Sequence, residues 1–414
     1  MDAGSRRNDS DRIPALHCKL MSKTSTPRIA LALAGGGPLG AIFEIGALCA
    51  LEEALDGIAL EKLDHYVGIS AGGFLAAALA NGMPPRELCA SFIENRGDSE
   101  VFDPAWLMVP AFGEFLRRSL KIPAVATAAV WRTFVRRKPI THVLEQLGPL
   151  LPTGLFSSEE IDRRLARVFT QPGRTNDFRE LRTRLTLVAT DLDTGDAAPF
   201  GESGWDDVPI SRAVQASAAL PGLFPPVRIG DKHFVDGALS KTMHASVALA
   251  RGVDLMLCIN PLVSFDATGA GGAIPRLVDG GLPAVLGQAL RTMIRSRLEL
   301  GMKQYQRAYP DTDMVLIEPD PRDARWYMAN TFSYRQRREL AEHAYQHTRS
   351  VLLSQHGALA TRFARHGLTL REDVLRERRV LVTPTRAPRR LQQSISTLRA
   401  TLDDLGRQVR SEAA

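Results

Sequence analysis

Gly68-Ile69-Ser70-Ala71-Gly72 places a serine between two glycines, each two positions away. The run Leu63 to Ile69 reads as a strand leading in. The small-residue run Ala71 to Ala80 reads as a helix leading out. This is the strand–turn–helix context of a nucleophile elbow, in which a sharp turn lifts a serine hydroxyl clear of the backbone. Gly68 and Gly72 suit a turn of that kind because a side chain there would crowd it. The same pattern also fits an ordinary strand-to-helix turn in which Ser70 caps the helix.

Upstream, the aliphatic run Arg28 to Ala34 reads as a buried strand. It enters Gly35-Gly36-Gly37-Pro38-Leu39-Gly40, and a helix is expected over 41–55. Consecutive backbone N–H groups near a helix start form an anion pocket. The string formally matches G-x-G-x-x-G, yet the acid a dinucleotide site wants at the next strand end is replaced by Gly68-x-Ser70. No Lys-Ser/Thr pair follows Gly40, so a Walker loop is excluded as well. An oxyanion hole built on Gly35, Gly36 and Gly37 fits better, because acyl transfer needs donors aimed at a developing negative oxygen.

A third element is Asp236-Gly237, at the end of the expected strand 232–235. A carboxylate at the C-terminal end of a strand projects into the crevice where α/β proteins bind ligands, and Ser70 also sits at a strand end. In isolation Asp236-Gly237 also reads as a plain turn. Further strands are expected over 185–190, 255–259 and 314–317, with helices over 159–169, 210–218, 242–250 and 282–305. This alternation predicts an α/β protein with three layers, a mostly parallel central sheet flanked by helices. A helical insertion over 103–150 and a helical C-terminal extension complete the expected architecture.

Together these pieces resemble the patatin-like phospholipase family. The resemblance is carried by Gly35–Gly40, by Gly68–Gly72 and by Asp236-Gly237-Ala238, in that order. It also rests on Ala216-Ser217-Ala218-Ala219-Leu220-Pro221-Gly222 and Ala189-Thr190-Asp191-Leu192-Asp193-Thr194-Gly195. It covers about residues 28–262 and implies a Ser–Asp dyad without a histidine. Ser70 would attack an ester carbonyl, Asp236 would take its proton, and N–H groups around Gly36 and Gly37 would hold the oxyanion. Gly40, Gly68, Gly72 and Gly237 would support the motifs. The implied activity is a lipid acyl hydrolase of phospholipase A or lysophospholipase type, with no cofactor or metal. An esterase on neutral glyceride or storage polyester and a catalytically weak lipid-binding scaffold are the alternatives.

The chain departs from the family pattern at two places. Leu39 stands where family members often carry Arg or Lys. Ser240-Lys241-Thr242-Met243-His244 stands where an Asn-x-Pro sequence is common. His244 is therefore the candidate third member of a Ser–Asp–His triad, with His343 and His347 further along. The spacing of His343 and His347 suits a metal pair, but no third ligand is evident, and a polar helix face is the plainer reading.

Length and composition bound the rest. The 414 residues allow one large α/β domain with extensions: a leader over 1–27, a hydrolase domain over 28–320 and a basic helical extension over 321–414. Cys18, Cys49, Cys89 and Cys258 show no metal or disulfide spacing, and the polar N-terminal stretch has no apolar signal core. A cytoplasmic protein, peripheral on the inner membrane face, is expected. The formal charge of +6 is uneven: residues 112–139 and 361–414 each carry a net excess of six positive charges. In 112–139 the charges interleave with Phe112, Phe115, Trp131 and Phe134, a pattern suited to an interfacial helix on anionic lipid. This stretch is the expected lid or docking element, against the plainer reading of a solvated basic face. No reader module accompanies the basic tail, so nucleic acid is not an expected partner. Leu391, Ile395, Leu398, Leu402, Leu405 and Val409 form a heptad seam of under three heptads, which reads plainly as a helix docked on the body and alternatively as the seam of a homo-oligomer over 391–409.

Overall fold

The computed structural model of the protein describes residues 26–96, 109–111, 152–269, 276–327, 329 and 334–382. The expected interfacial stretch 112–139, the seam 391–409, and most of the leader and of the 103–150 insertion lie outside the described residues.

The chain opens on β1 (Ile29–Leu33), every residue of which is buried. It passes through the glycine loop into α1 (Gly37–Ala54), which starts four residues earlier than the periodicity suggests because Pro38 is accommodated in the first turn. Next come β2 (Leu55–Asp56), β3 (His65–Gly68) and α2 (Ala71–Ala80). After the amphipathic α3 (Glu159–Phe169) follow β4 (Arg184–Asp191), β5 (Ala197–Phe200) and α4 (Ile210–Ser217). Then come β6 (Val227–Ile229), β7 (Lys232–Asp236) and β8 (Leu255–Ile259). The long α5 (Gly281–Ala308) leads to β9 (Asp313–Ile317), followed by α6 (Tyr334–Ser354), α7 (His356–Ala364) and β10 (Thr369–Leu370).

Strands run in the order β6-β7-β4-β3-β1-β8-β9, with β5 also paired to β4. The pairs around the centre are parallel, whereas β5, β6 and β7 attach antiparallel. Alternate residues of the central strands face opposite layers. Leu31, Leu33, Tyr66 and Leu257 pack with α1, α2 and α6 in one core. Ala30, Ala32, Val67 and Cys258 pack with Leu298 and Tyr305 of α5 in the other. The sheet is therefore the middle of three layers, as expected for an α/β protein.

The C-terminal helices belong to this packing. A Cβ at Gly46 of α1 would lie 2.7 Å from the carbonyl oxygen of Ala341, so the two helices cross at backbone distance. Glu53 of α1 accepts from Arg349 of α6 at 3.0 Å, and β10 pairs with β2.

Candidate active site

From β1 the chain connects to β3 on one side, while β8 takes the other side of β1. The strand order reverses between β1 and β8, because the chain first adds β3 and β4 on one side of β1 and later returns to add β8 and β9 on the other; such a reversal is the switch point where open α/β sheets bind ligands. The glycine loop leaves β1 at this point, and Ser70 follows β3 beside it. A Cβ at Gly35 would stand 3.1 Å from the Ser70 Cβ and 3.7 Å from its Oγ.

Ser70 adopts φ 54° and ψ −124°, in the positive-φ region that a side-chain-bearing residue rarely occupies. Its neighbours explain how the turn is held. A Cβ at Gly68 would come within 2.5 Å of the Gly73 Cα, and one at Gly72 within 2.5 Å of the Ala34 carbonyl oxygen. Only glycine lets β3, α2 and the end of β1 approach this closely. The Ser70 amide donates to the Ser217 hydroxyl at 2.8 Å, and Ser217 donates to the Val188 carbonyl at 2.6 Å. Ser217, fully buried on α4, is a support residue that the sequence reading did not single out. Its one signal was its place in Ala216–Gly222.

Asp236 is 3% exposed and ends β7. It does not reach Ser70 as the end of a parallel strand, because β7 runs antiparallel to β4. The two meet because β7 overlaps β4 only through its last three residues, with Asp236 level with Ala189, while β3 pairs Gly68 with Leu187. Burial raises the Asp236 carboxyl to a pKa of about 6, with hydrogen bonding from the Ala238 amide and the Ser70 hydroxyl opposing the rise. The Ala238 amide donates to Asp236 Oδ1 at 2.9 Å.

The helix α1 begins at Gly37, with φ +59°. N–H groups of a first helical turn have no intrahelical acceptor, and the helix dipole adds positive potential there. Gly37, Pro38, Ala71 and Ser70 share the wall of an apolar cleft of about 120 Å³, closed by Phe74, Ile161, Leu165, Val214 and Phe224.

His244 is buried at φ 47°. Its Nε2 lies 3.1 Å from the Ser240 hydroxyl, and the ring also hydrogen-bonds the Gly237 backbone. Burial lowers its pKa to about 4. The helix expected over 242–250 shortens to Ser246–Leu249, which leaves His244 in the preceding loop. His343 pairs with Asp323, and His347 Nε2 lies 2.9 Å from the Glu318 carbonyl. No cluster of metal-ligating side chains occurs among the described residues.

The model of the patatin-like phospholipase family matches residues 31–249, which contain the glycine loop, Ser70 and Asp236. The chain belongs to the patatin-like phospholipase family. Curated relatives include uncharacterized NTE family proteins of Mycobacterium tuberculosis and Mycobacterium bovis, each 23% identical over 325 residues. The alignment covers 75% of this chain and 44% of each relative, so the chain spans less than half of their length. Solved structures similar to this patatin-like chain include VipD from Legionella pneumophila, 17% identical with a TM-score of 0.36 over 80% of this chain and 67% of VipD. The ExoU–SpcU complex of Pseudomonas aeruginosa is 18% identical with a TM-score of 0.25, over 84% of this chain and 74% of that one.

Proposed function

We propose that the protein is a lipid acyl hydrolase, of phospholipase A or lysophospholipase type, acting through a Ser70–Asp236 dyad. The observation that carries this reading is the buried Asp236 carboxylate facing Ser70 beside the start of α1. A carboxyl with a pKa of about 6 is ionised at neutral pH and still basic enough to take a proton.

In the first half-reaction the Ser70 Oγ bonds to the ester carbonyl carbon as its proton moves to Asp236. Negative charge collects on the carbonyl oxygen, which the N–H groups at Gly36 and Gly37 stabilise. The intermediate collapses, and the leaving alcohol takes the proton from Asp236. Water then loses a proton to Asp236 and attacks the acyl-Ser70 carbonyl. Release of the fatty acid restores Ser70. The apolar cleft would receive the acyl chain, which favours a lipid ester over a polar one.

We place the enzyme at the cytoplasmic face of a membrane. Leu282, Leu286, Met293 and Leu300 lie exposed along α5, between 53% and 69% accessible, and no described helix is long and apolar enough to cross a membrane. Flotation with anionic and neutral vesicles tests peripheral binding; equal binding to both would remove the electrostatic part. Fatty-acid release from phospholipid vesicles tests the activity. Loss of release in Ser70→Ala and Asp236→Asn is expected, and full retention in either would overturn the dyad.

A further inference from the structure

The glycine loop is held between two neighbours. On one side a Cβ at Gly35 would stand 3.1 Å from the Ser70 Cβ. On the other, Cβ atoms at Gly36 and Gly40 would lie 2.8 Å and 3.0 Å from the Cγ of Pro261. The Pro261 ring therefore rests on both residues joined by the first backbone hydrogen bond of α1, in which the Gly40 amide donates to the Gly36 carbonyl at 3.0 Å. That carbonyl shares a peptide plane with the Gly37 amide, and in a trans peptide the two point in opposite directions. With the carbonyl tied into the helix, the Gly37 N–H points off the helix N-terminus, at the wall that Gly37 shares with Ser70.

Consecutive glycines have wide backbone freedom, so a peptide plane among them keeps its direction only under outside support. Pro261 can supply that support because its ring is rigid and is itself held. It follows Asn260, which is fully buried just beyond β8. Asn260 Oδ1 accepts the Leu262 amide at 3.2 Å, and Nδ2 donates to the Leu262 carbonyl at 3.2 Å, so one side chain spans Pro261. Nδ2 also donates to Glu318 Oε1 at 2.7 Å, and the Asn260 amide donates to the Ile317 carbonyl at 2.9 Å. The Glu318 carbonyl in turn lies 2.9 Å from His347 Nε2 on α6. A continuous set of contacts thus runs from α6 through Glu318 and Asn260 to Pro261 and the glycine loop. Asn260, Pro261 and Glu318 all lie beyond residue 249, where the family match ends.

We propose that Pro261 is a positioning residue for ester hydrolysis: clamped by Asn260 and Glu318, it fixes the Gly36–Gly37 peptide so that the Gly37 N–H meets the developing oxyanion. The assignment rests on the serine hydrolase reading above. Pro261 acts through the loop and takes no part in bond making. A donor aimed in advance stabilises the charge of the transition state more than the neutral ester carbonyl. Loss of the clamp therefore falls on kcat and leaves KM nearly unchanged.

The test compares Pro261→Ala with the unmodified chain in p-nitrophenyl butyrate hydrolysis and in inhibition by hexyl trifluoromethyl ketone and its carbinol. The ketone gains a bond from Ser70 Oγ to its carbonyl carbon, passes the serine proton to Asp236 and leaves an oxyanion; the carbinol fills the same cleft without forming a bond. Pro261→Ala should lower kcat about tenfold or more and weaken the ketone by a similar factor, with KM and carbinol binding unchanged. Asn260→Asp sets a carboxylate against Glu318 and should lower kcat likewise. Adding Glu318→Gln restores a donor–acceptor pair of reversed polarity and should recover much of that loss. An unchanged kcat in Pro261→Ala, a rise in KM alone, or equal weakening of ketone and carbinol would overturn the assignment in favour of plain packing. So would an absence of recovery in the folded double variant. Failure of the serine hydrolase reading would show separately, as absence of a fluorophosphonate adduct on Ser70 of the unmodified chain.

Discussion

Replacing Asp236 by Asn should remove activity and increase stability. The folded-state carboxyl titrates at about 6, against an ordinary value of 3.8, because burial disfavours its charged form. A raised carboxyl pKa means the folded state binds the proton more tightly than the unfolded chain does. The group therefore adds no penalty below the unfolded value, and stability is lost as pH rises through the folded value. A shift of this size corresponds to about 3 kcal/mol once both states are ionised. Asn keeps an oxygen for the Ala238 amide and carries no charge. Urea unfolding of wild type and Asp236→Asn should therefore differ by about 1.5 kcal/mol at pH 5 and about 3 kcal/mol at pH 7.5, with the variant more stable at both. Ester turnover should fall by about 100-fold or more with the loss of the base. A variant less stable than wild type at pH 7.5 would refute the claim that burial dominates this carboxylate. A pH-independent difference would refute the titration itself.

Three further outcomes follow from the same geometry. The kcat/KM for a neutral ester should rise with pH and level off above an inflection near 6, since Asp236 must be ionised to accept the Ser70 proton; a profile falling through that range would contradict it. Gly72→Ala should destabilise the fold by about 1–3 kcal/mol in thermal or urea unfolding, because the added methyl meets the Leu33 and Ala34 backbone at 2.5–2.6 Å. Glu44 of α1 is fully buried with both carboxylate oxygens unpartnered, and burial holds its pKa well above the usual range. Glu44→Leu should therefore be stabilising by about 1–3 kcal/mol, more so at pH 8 than at pH 5, in the same unfolding assay.

Much of this was legible in sequence because short-range sterics leave strong marks. The run Ile29–Leu33 has no polar residue, as a strand buried on both faces requires, and Gly68 and Gly72 are written by backbone clashes that any side chain would create. The path by which Asp236 arrives was not legible. A strand end looks the same whether the strand runs parallel or antiparallel, and only the overlap of β7 with β4 settles how the carboxylate comes level with Ser70. Ser217 was hidden for a different reason. It acts across a distance of more than a hundred residues, and neither local pattern nor spacing marks a serine that anchors an amide. Likewise, the close crossing of α1 and α6 depends on Gly46 meeting Ala341, a pairing invisible along either helix alone.

The most direct test of the central claim is covalent labelling with a fluorophosphonate ester, followed by peptide mass mapping. A single adduct on Ser70 is expected for the unmodified chain, absent in Ser70→Ala, strongly slowed in Asp236→Asn and close to the unmodified rate in His244→Ala. Labelling on another residue would contradict the dyad. So would a folded His244→Ala chain that no longer labels, since that would make the histidine the base.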